Sequence, residues 1–391
     1  MELYKFGKPE GRYIGHSGKF KVYSGSISME NAYSAPQKNV HISAPGEFDF
    51  YYGPATGGLL ESVGMKLTNP GEIINGMEVN PDFKRRSIAM TGLTVEDALL
   101  RVERINGFHS ASHAISFLTA VEDALGIEVP DTLQKTRIVM LELERIRSNM
   151  EVLKRMCEPA GFGVPVNQLG YLREKVSRII SEVAGHRFFF GVNGIGKAAI
   201  DTTRIGDRLK GVKNEFTRIF EGLQESKIFL NRLQNNGITR DEPLLGPAAR
   251  AAGMGIDARL DFPVLPYSQL EFKPAIRNEK DCFARFMVRG EEILNSADLI
   301  DRIGFIANLA TDNIAASGSG EGASRIESPQ GDLFYYVKVK EGHLQDVWFV
   351  TPSELNISAF ESSMLGNIFT DFHFNWESYG IWISEMGVEF R

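Results

Sequence analysis

The chain has 391 residues, is 43% hydrophobic and carries a net charge of −7, so it can bury one large core or two to three domains. That balance gives no footprint for nucleic acid or an anionic membrane, and no apolar run reaches the roughly 18 residues of a spanning helix. The two cysteines, Cys157 and Cys282, are too far apart for a Cys-x-x-Cys metal or cluster site and argue against a disulfide framework.

The first residues lack the apolar core of a secretory signal, which predicts a cytosolic location. Residues 1–90 are rich in Gly, Pro, Ser and aromatics, and alternating runs such as Lys19 to Tyr23 read as strands. They predict a small N-terminal α+β layer. From Thr94 the period changes. Thr94 and Asp97 form a capping pair, and apolar residues at helical spacing run on to Gly126, a C-cap. A second helix is predicted from Asp131 to about Cys157, followed by the breakers Pro159 and Gly161. Further helices are predicted over about Asn167–Ala184, Arg204–Leu233 and Glu279–Leu309. Residues 313–322 read as a flexible turn. Leu333–Lys340 and Leu344–Val350 read as a hairpin about Glu341-Gly342. The apolar tail Ser378–Arg391 is expected to dock inside. The fold class is therefore α+β and mainly helical: a layer over 1–90, then a long-helix bundle over 91–391 with a C-terminal β-hairpin.

Three local motifs carry chemistry. Gly191 to Lys197 has the G-x-x-x-x-G-K skeleton of a phosphate loop, but Ala198 stands where a magnesium-binding hydroxyl belongs. A Gly-rich turn between helices is the other reading. His109 and His113 share a helix face at metal-binding spacing, yet the residue a turn earlier is Ile105. Two hydrogen-bonded histidines are the plainer alternative. Glu142, Glu144, Arg145 and Arg147 read as a salt-bridged helix face.

Longer segments say more. Gly53-Pro54 to Glu61, Glu103-Arg104-Ile105 to His113, Glu142 to Ile146, Gly246-Pro247 to Arg259, Glu327 to Gly331 and Ser378 to Glu385 occur in order along the chain. Together they resemble the large subunit of membrane-bound energy-converting [NiFe]-hydrogenases and the homologous 49-kDa or D subunit of NADH-quinone oxidoreductase (complex I). The resemblance implies a hydrogenase large-subunit-like fold. It also implies a peripheral place on the cytoplasmic face of an ion-translocating oxidoreductase complex, NADH- or ferredoxin-linked. The implied partners are a small subunit with a [4Fe–4S] cluster, other peripheral subunits and membrane-arm subunits, with no nucleic acid.

The departures are specific. The four positions that hold nickel and iron through thiolates in the hydrogenases are Asn106, His109, Trp382 and Glu385. The arginine, aspartate and proton-transfer glutamate of the family site are Gln330, Gly380 and Ala89, and the quinone-contacting tyrosine of complex I is Gly107. No metal and no cofactor is thus expected on this chain. The vacated pocket is expected to take a quinone-like acceptor or to couple electron arrival to proton movement. His109 and Glu385 are the proton-coupled candidates, and Asn106, His113, Glu103, Gln330 and Trp382 are the pocket residues. The alternative is a structural scaffold whose pocket is plugged by Trp382, Phe108 and Tyr379.

Overall fold

The computed structural model describes residues 44–391, apart from 204, 241, 305, 307–313 and 315, and before residue 44 the backbone of short strands. Those strands, β1 (Lys5–Phe6), β2 (Tyr13–Ser17), β3 (Phe20–Tyr23) and β4 (Ser26–Ser28), pair in the order β1-β4-β3-β2. The strand expected over 19–23 is β3, with Lys19 outside the described residues. An antiparallel meander follows, β5 (Phe48–Tyr52), β6 (Gly64–Asn69) and β7 (Gly76–Asn80), and then β8 (Arg86–Ile88). Among the described residues no α-helix precedes Val95, and the described part of this layer is built from strands and one 3₁₀ turn at Asp82–Lys84.

Thr94 caps α1 (Val95–Val102) by accepting the Asp97 amide, as its sequence position predicts. The helix does not run on to Gly126. It ends at Val102, and in the segment before α2 the Asn106 side chain accepts the Phe108 amide at 2.9 Å, an Asx turn. α2 (Ser110–Leu125) then starts anew, with Gly126 as its left-handed C-cap. No local side chain caps α2. Glu144 does so from the next helix, accepting the Ala111 and Ser112 amides at 2.7 and 2.9 Å.

That next helix, α3 (Asp131–Cys157), is the axis of the molecule. Every residue from Thr136 to Cys157 except Lys154 is buried, so the salt-bridged helix face is an interior one. α4 (Gly163–Ala184) packs on α3 and is followed by the small hairpin β9 (Asn193–Gly194) and β10 (Lys197–Ala198). The helix expected over 204–233 is two, α5 (Gly206–Glu225) and α6 (Lys227–Leu233), separated at Ser226, whose backbone is extended. Short α7 (Gly246–Ala251) and α8 (Ala258–Asp261) lead to α9 (Cys282–Ile303), which lies along α3 and is capped by Asp281.

The expected turn at 313–322 falls partly outside the described residues. From Gly320 it is a strand, so the hairpin becomes a three-stranded sheet of β11 (Gly320–Ser328), β12 (Gly331–Lys340) and β13 (His343–Val350). α2 packs against β11 and β12. α10 (Pro352–Met364), α11 (Phe372–Tyr379) and α12 (Ile383–Met386) close the chain, and β14 (Val388–Phe390) pairs in parallel with β8. One apolar cluster joins α3, α4, α5 and α9, a second joins α1 and α2 to the sheet, and a third joins β6 and β7 to α10, α11 and α12. No helix among the described residues is long and apolar enough to cross a membrane.

Candidate functional site

The four positions that hold metal in the hydrogenases do come together. Asn106 and His109 sit on the break between α1 and α2, while Trp382 and Glu385 belong to α12 and the residue before it. His109 Nδ1 pairs directly with Glu385 Oε1. Asn106 Nδ2 donates to the same oxygen at 2.9 Å, and its amide orientation follows from its oxygen being used by Phe108. The Thr351 hydroxyl donates to Glu385 Oε2 at 2.8 Å. His113 Nε2 faces Oε1 from 3.5 Å without closing a hydrogen bond, and its Nδ1 is tied to the Tyr335 hydroxyl at 2.8 Å. His109 Nε2 lies 3.1 Å from the Ser148 hydroxyl on α3. Burial pushes the Glu385 carboxyl up. The neighbouring imidazoles, His109 first, outweigh that and hold it well below the usual carboxylate range.

The expected arginine beside the site is Gln330, but a guanidinium reaches the place from another helix. Arg289 on α9 donates to Gln330 Oε1 at 2.8 Å and to the Tyr379 carbonyl at 2.7 Å. Gly380 makes room for both, since a Cβ there would meet Gln330 Oε1 at 2.4 Å and Arg289 Nη2 at 2.7 Å. The contacts continue inward. Gln330 Nε2 reaches Ser148 Oγ at 3.4 Å, Arg289 reaches Asn149 at 2.9 Å, and Asn149 reaches Glu292 at 3.2 Å. Glu292 belongs to a second buried cluster. There Arg250 bridges Glu292 and Glu327, and Arg259 bridges Asp257 beside Glu142. Burial with no carboxylate in direct contact pushes the Arg289 guanidinium down to about 9.

Two sequence expectations change here. Glu103 is not part of the site: its carboxylate accepts the Gly191 amide at 2.6 Å and faces Arg104. The Gly196 amide is likewise taken by Glu122, at 3.0 Å. The two amides of the phosphate-loop skeleton thus bind the chain's own carboxylates, which leaves the Gly-rich-turn reading. The histidine pair serves Glu385. Among the described residues no group of three or more His, Cys, Asp or Glu side chains could hold a metal ion. An amide, an imidazole, an indole and a carboxylate do not fit a [NiFe] centre, which needs soft thiolates.

The pocket is closed. Asn106, His109, Trp382 and Glu385 are each 5% exposed or less. Trp382 stacks on Phe108 with ring centres 4.9 Å apart and meets the His109 ring edge-on. Tyr379, expected as a third plug, instead packs on Phe360 and under Arg285. A quinone-sized ligand needs a cleft of about 300 Å³ or more. A cavity of that size lies elsewhere, about 560 Å³ between Phe162 and Leu223. Sequence reasoning missed Ser148, Arg289 and Thr351. Only Ser148 had a signal, one turn beyond Glu144 on the same helix.

These positions bring an amide, two imidazoles, an indole and a carboxylate together, with no thiolate among them. A profile of the family described as respiratory-chain NADH dehydrogenase, 49 Kd subunit, matches residues 164–318. The alpha subunit of the membrane-bound hydrogenase of Pyrococcus furiosus is 28% identical over 324 residues, covering 74% of this chain and 75% of that protein. The C/D subunit of the NADH-quinone oxidoreductase of Phocaeicola vulgatus is 30% identical over 340 residues, covering 81% of this chain and 62% of that protein. The chain therefore spans less than two thirds of the length of that second relative. Among solved structures, a chain of the membrane-bound sulfane sulfur reductase, an archaeal respiratory membrane complex, superposes with a TM-score of 0.81 at 20% identity. That match covers 88% of this chain and 98% of the other, and it shows the fold. The chain resembles the hydrogenase large subunit and the complex I 49-kDa/D subunit over most of its length.

Proposed function

We propose that the chain is a peripheral-arm subunit of a membrane-associated, ion-translocating oxidoreductase complex, in which it couples electron arrival to proton movement without a metal or quinone of its own. The observation that carries this reading is the sealed His109–Glu385 pair, with its satisfied hydrogen bonds, at the place where the relatives hold metal. A small subunit bearing a [4Fe–4S] cluster is the partner that would bring the electron, and the cytoplasmic face is the proposed location.

One electron arriving roughly 10 Å away changes a proton affinity by about 1.7 kcal/mol at an effective dielectric of about 20, which is about one pKa unit. The proton would move within the His109–Glu385 pair, whose Nδ1 and Oε1 are in direct contact. Trp382 and Phe108 exclude water, which keeps the local dielectric low and the response large.

The experiment is proton uptake on reduction of the intact complex, compared with H109Q. Coupling predicts loss of uptake with electron transfer retained. Unchanged uptake leaves the scaffold reading, which the Trp382 plug favours.

A further inference from the structure

The hydrogen bonds running from α9 to His109 have a direction. A guanidinium can only donate, so Arg289 takes the Gln330 oxygen, Oε1, at 2.8 Å. That contact decides which end of the Gln330 amide faces inward. Its nitrogen, Nε2, lies 3.4 Å from Ser148 Oγ, and it too can only donate. Ser148 is therefore the acceptor there, and its own hydrogen has to go elsewhere. Among the described residues the other partner of that hydroxyl is His109 Nε2, at 3.1 Å. On the far side of the ring, Nδ1 is in direct contact with Glu385 Oε1, which also accepts from Asn106 at 2.9 Å. A ring with its hydrogen on Nε2 would set a lone pair at Nδ1 against that carboxylate oxygen.

We infer that Gln330, oriented by Arg289, is a positioning residue that acts through Ser148 to set the tautomer of His109: the neutral ring carries its hydrogen on Nδ1, toward Glu385, and Nε2 is the nitrogen that takes up a proton. Its role in uptake rests on the coupling function proposed above. Uptake adds one proton from solvent at Nε2. The Ser148 hydrogen turns away, and Oγ, with two lone pairs, accepts from both Gln330 and the new Nε2–H. The Nδ1 proton is then free to shift to Glu385 Oε1, which is the movement within the pair. The pair ends one proton richer, as imidazolium and carboxylate or as Nε2–H imidazole and carboxylic acid. Glu385 on α12 is the ionisable group that touches the ring. His113 on α2, tied to Tyr335 on β12, faces the same oxygen from 3.5 Å, and Glu354 on α10 lies within electrostatic reach of Glu385. The cations are Arg289, behind Gln330, and Arg155 on α3, over the Trp382 ring.

The test follows the ring nitrogens by ¹⁵N NMR in the full chain, labelled at its seven histidines, with H109Q to assign His109. As pH rises, Nε2 is expected to lose its proton while Nδ1 stays protonated. Q330E reverses the direction of the chain: its carboxylate pairs with Arg289 and accepts the Ser148 hydrogen, which turns an Oγ lone pair toward Nε2. Nε2 should then hold its proton to a pH higher by about one unit. In Q330E/S148A that shift should vanish, leaving the ring as it is in S148A. The wild-type titration needs no variant to fold, and Nδ1 losing its proton first overturns the assignment. An unshifted ring in folded Q330E overturns the role of Gln330, and a shift that survives in Q330E/S148A overturns the path through Ser148. Proton uptake by the intact complex separates this inference from the function beneath it. Uptake lost in H109Q while Nδ1 titrates overturns the assignment and leaves the coupling standing. Unchanged uptake in H109Q overturns the coupling and with it the uptake role of Nε2.

Discussion

Two buried polar clusters lie on either side of α3. Around Arg250 three acids face two arginines in ion pairs of 2.5 to 3.2 Å. Around His109 one carboxylate is held by imidazole, amide and hydroxyl groups. Ser148 and Asn149, neighbours on α3, bond into the respective sides. The difference is one of charge balance: around Arg250 every buried charge is met by an opposite one, and a buried charge cannot lose its partner without a large penalty, whereas around Glu385 a single carboxylate is held mostly by neutral donors.

The largest test of that contrast is R250L. It leaves Glu292, Glu327 and Asp257 buried without their shared cation. A loss of about 3–5 kcal/mol or more is expected in urea unfolding, enough to prevent folding in many domains. A stable R250L chain would dissolve the comparison. Next is the plug. W382A should cost about 3–5 kcal/mol through the cavity it opens beside Phe108 and His109. W382F should be close to neutral, because the Trp382 indole N–H is buried without an acceptor among the described residues.

A double-mutant cycle on H109Q and E385Q sharpens the rebuilt side. Each single change should cost more than its share of the double, with a coupling of about 1–3 kcal/mol. Additive losses would mean the two side chains are merely neighbours.

Smaller still is the pH dependence. Burial raises Glu327 and Glu377 to about 7, and burial with the Glu385 anion raises Glu354 to about 8. The folded chain therefore keeps these protons to higher pH than the unfolded one, whose glutamates titrate near about 4.3. Their contribution is full below that value and is lost as pH rises through about 7 to 8. Thermal midpoints should fall across this window, and E354Q should flatten its upper end. Glu385 and Asp257, held low by His109 and Arg259 against burial, act oppositely and lose their contribution on acidification. The smallest effect is K197A. It should move stability by less than about 0.5 kcal/mol and leave nucleotide binding absent in calorimetry, since Glu103 and Glu122 already occupy the Gly191 and Gly196 amides.

Much was legible because local chemistry and spacing determined it. Thr94 announces its helix, Glu341-Gly342 its hairpin, and the ordered motifs from Gly53 to Glu385 announce the large-subunit plan with its thiolates gone. Even the bulk of Trp382 could be assigned to the empty place. The tertiary structure decided what no period encodes. The helix that the apolar spacing would continue stops at Val102, and Asn106 holds the following turn by taking the Phe108 amide on its side chain. Arg289 replaces from α9 the cation missing at Gln330, with Gly380 leaving the space, and Thr351 reaches Glu385 from the start of α10. These are contacts between residues far apart in sequence. Their energies come from burial and shared hydrogen bonds, which exist only once the helices have packed around α3.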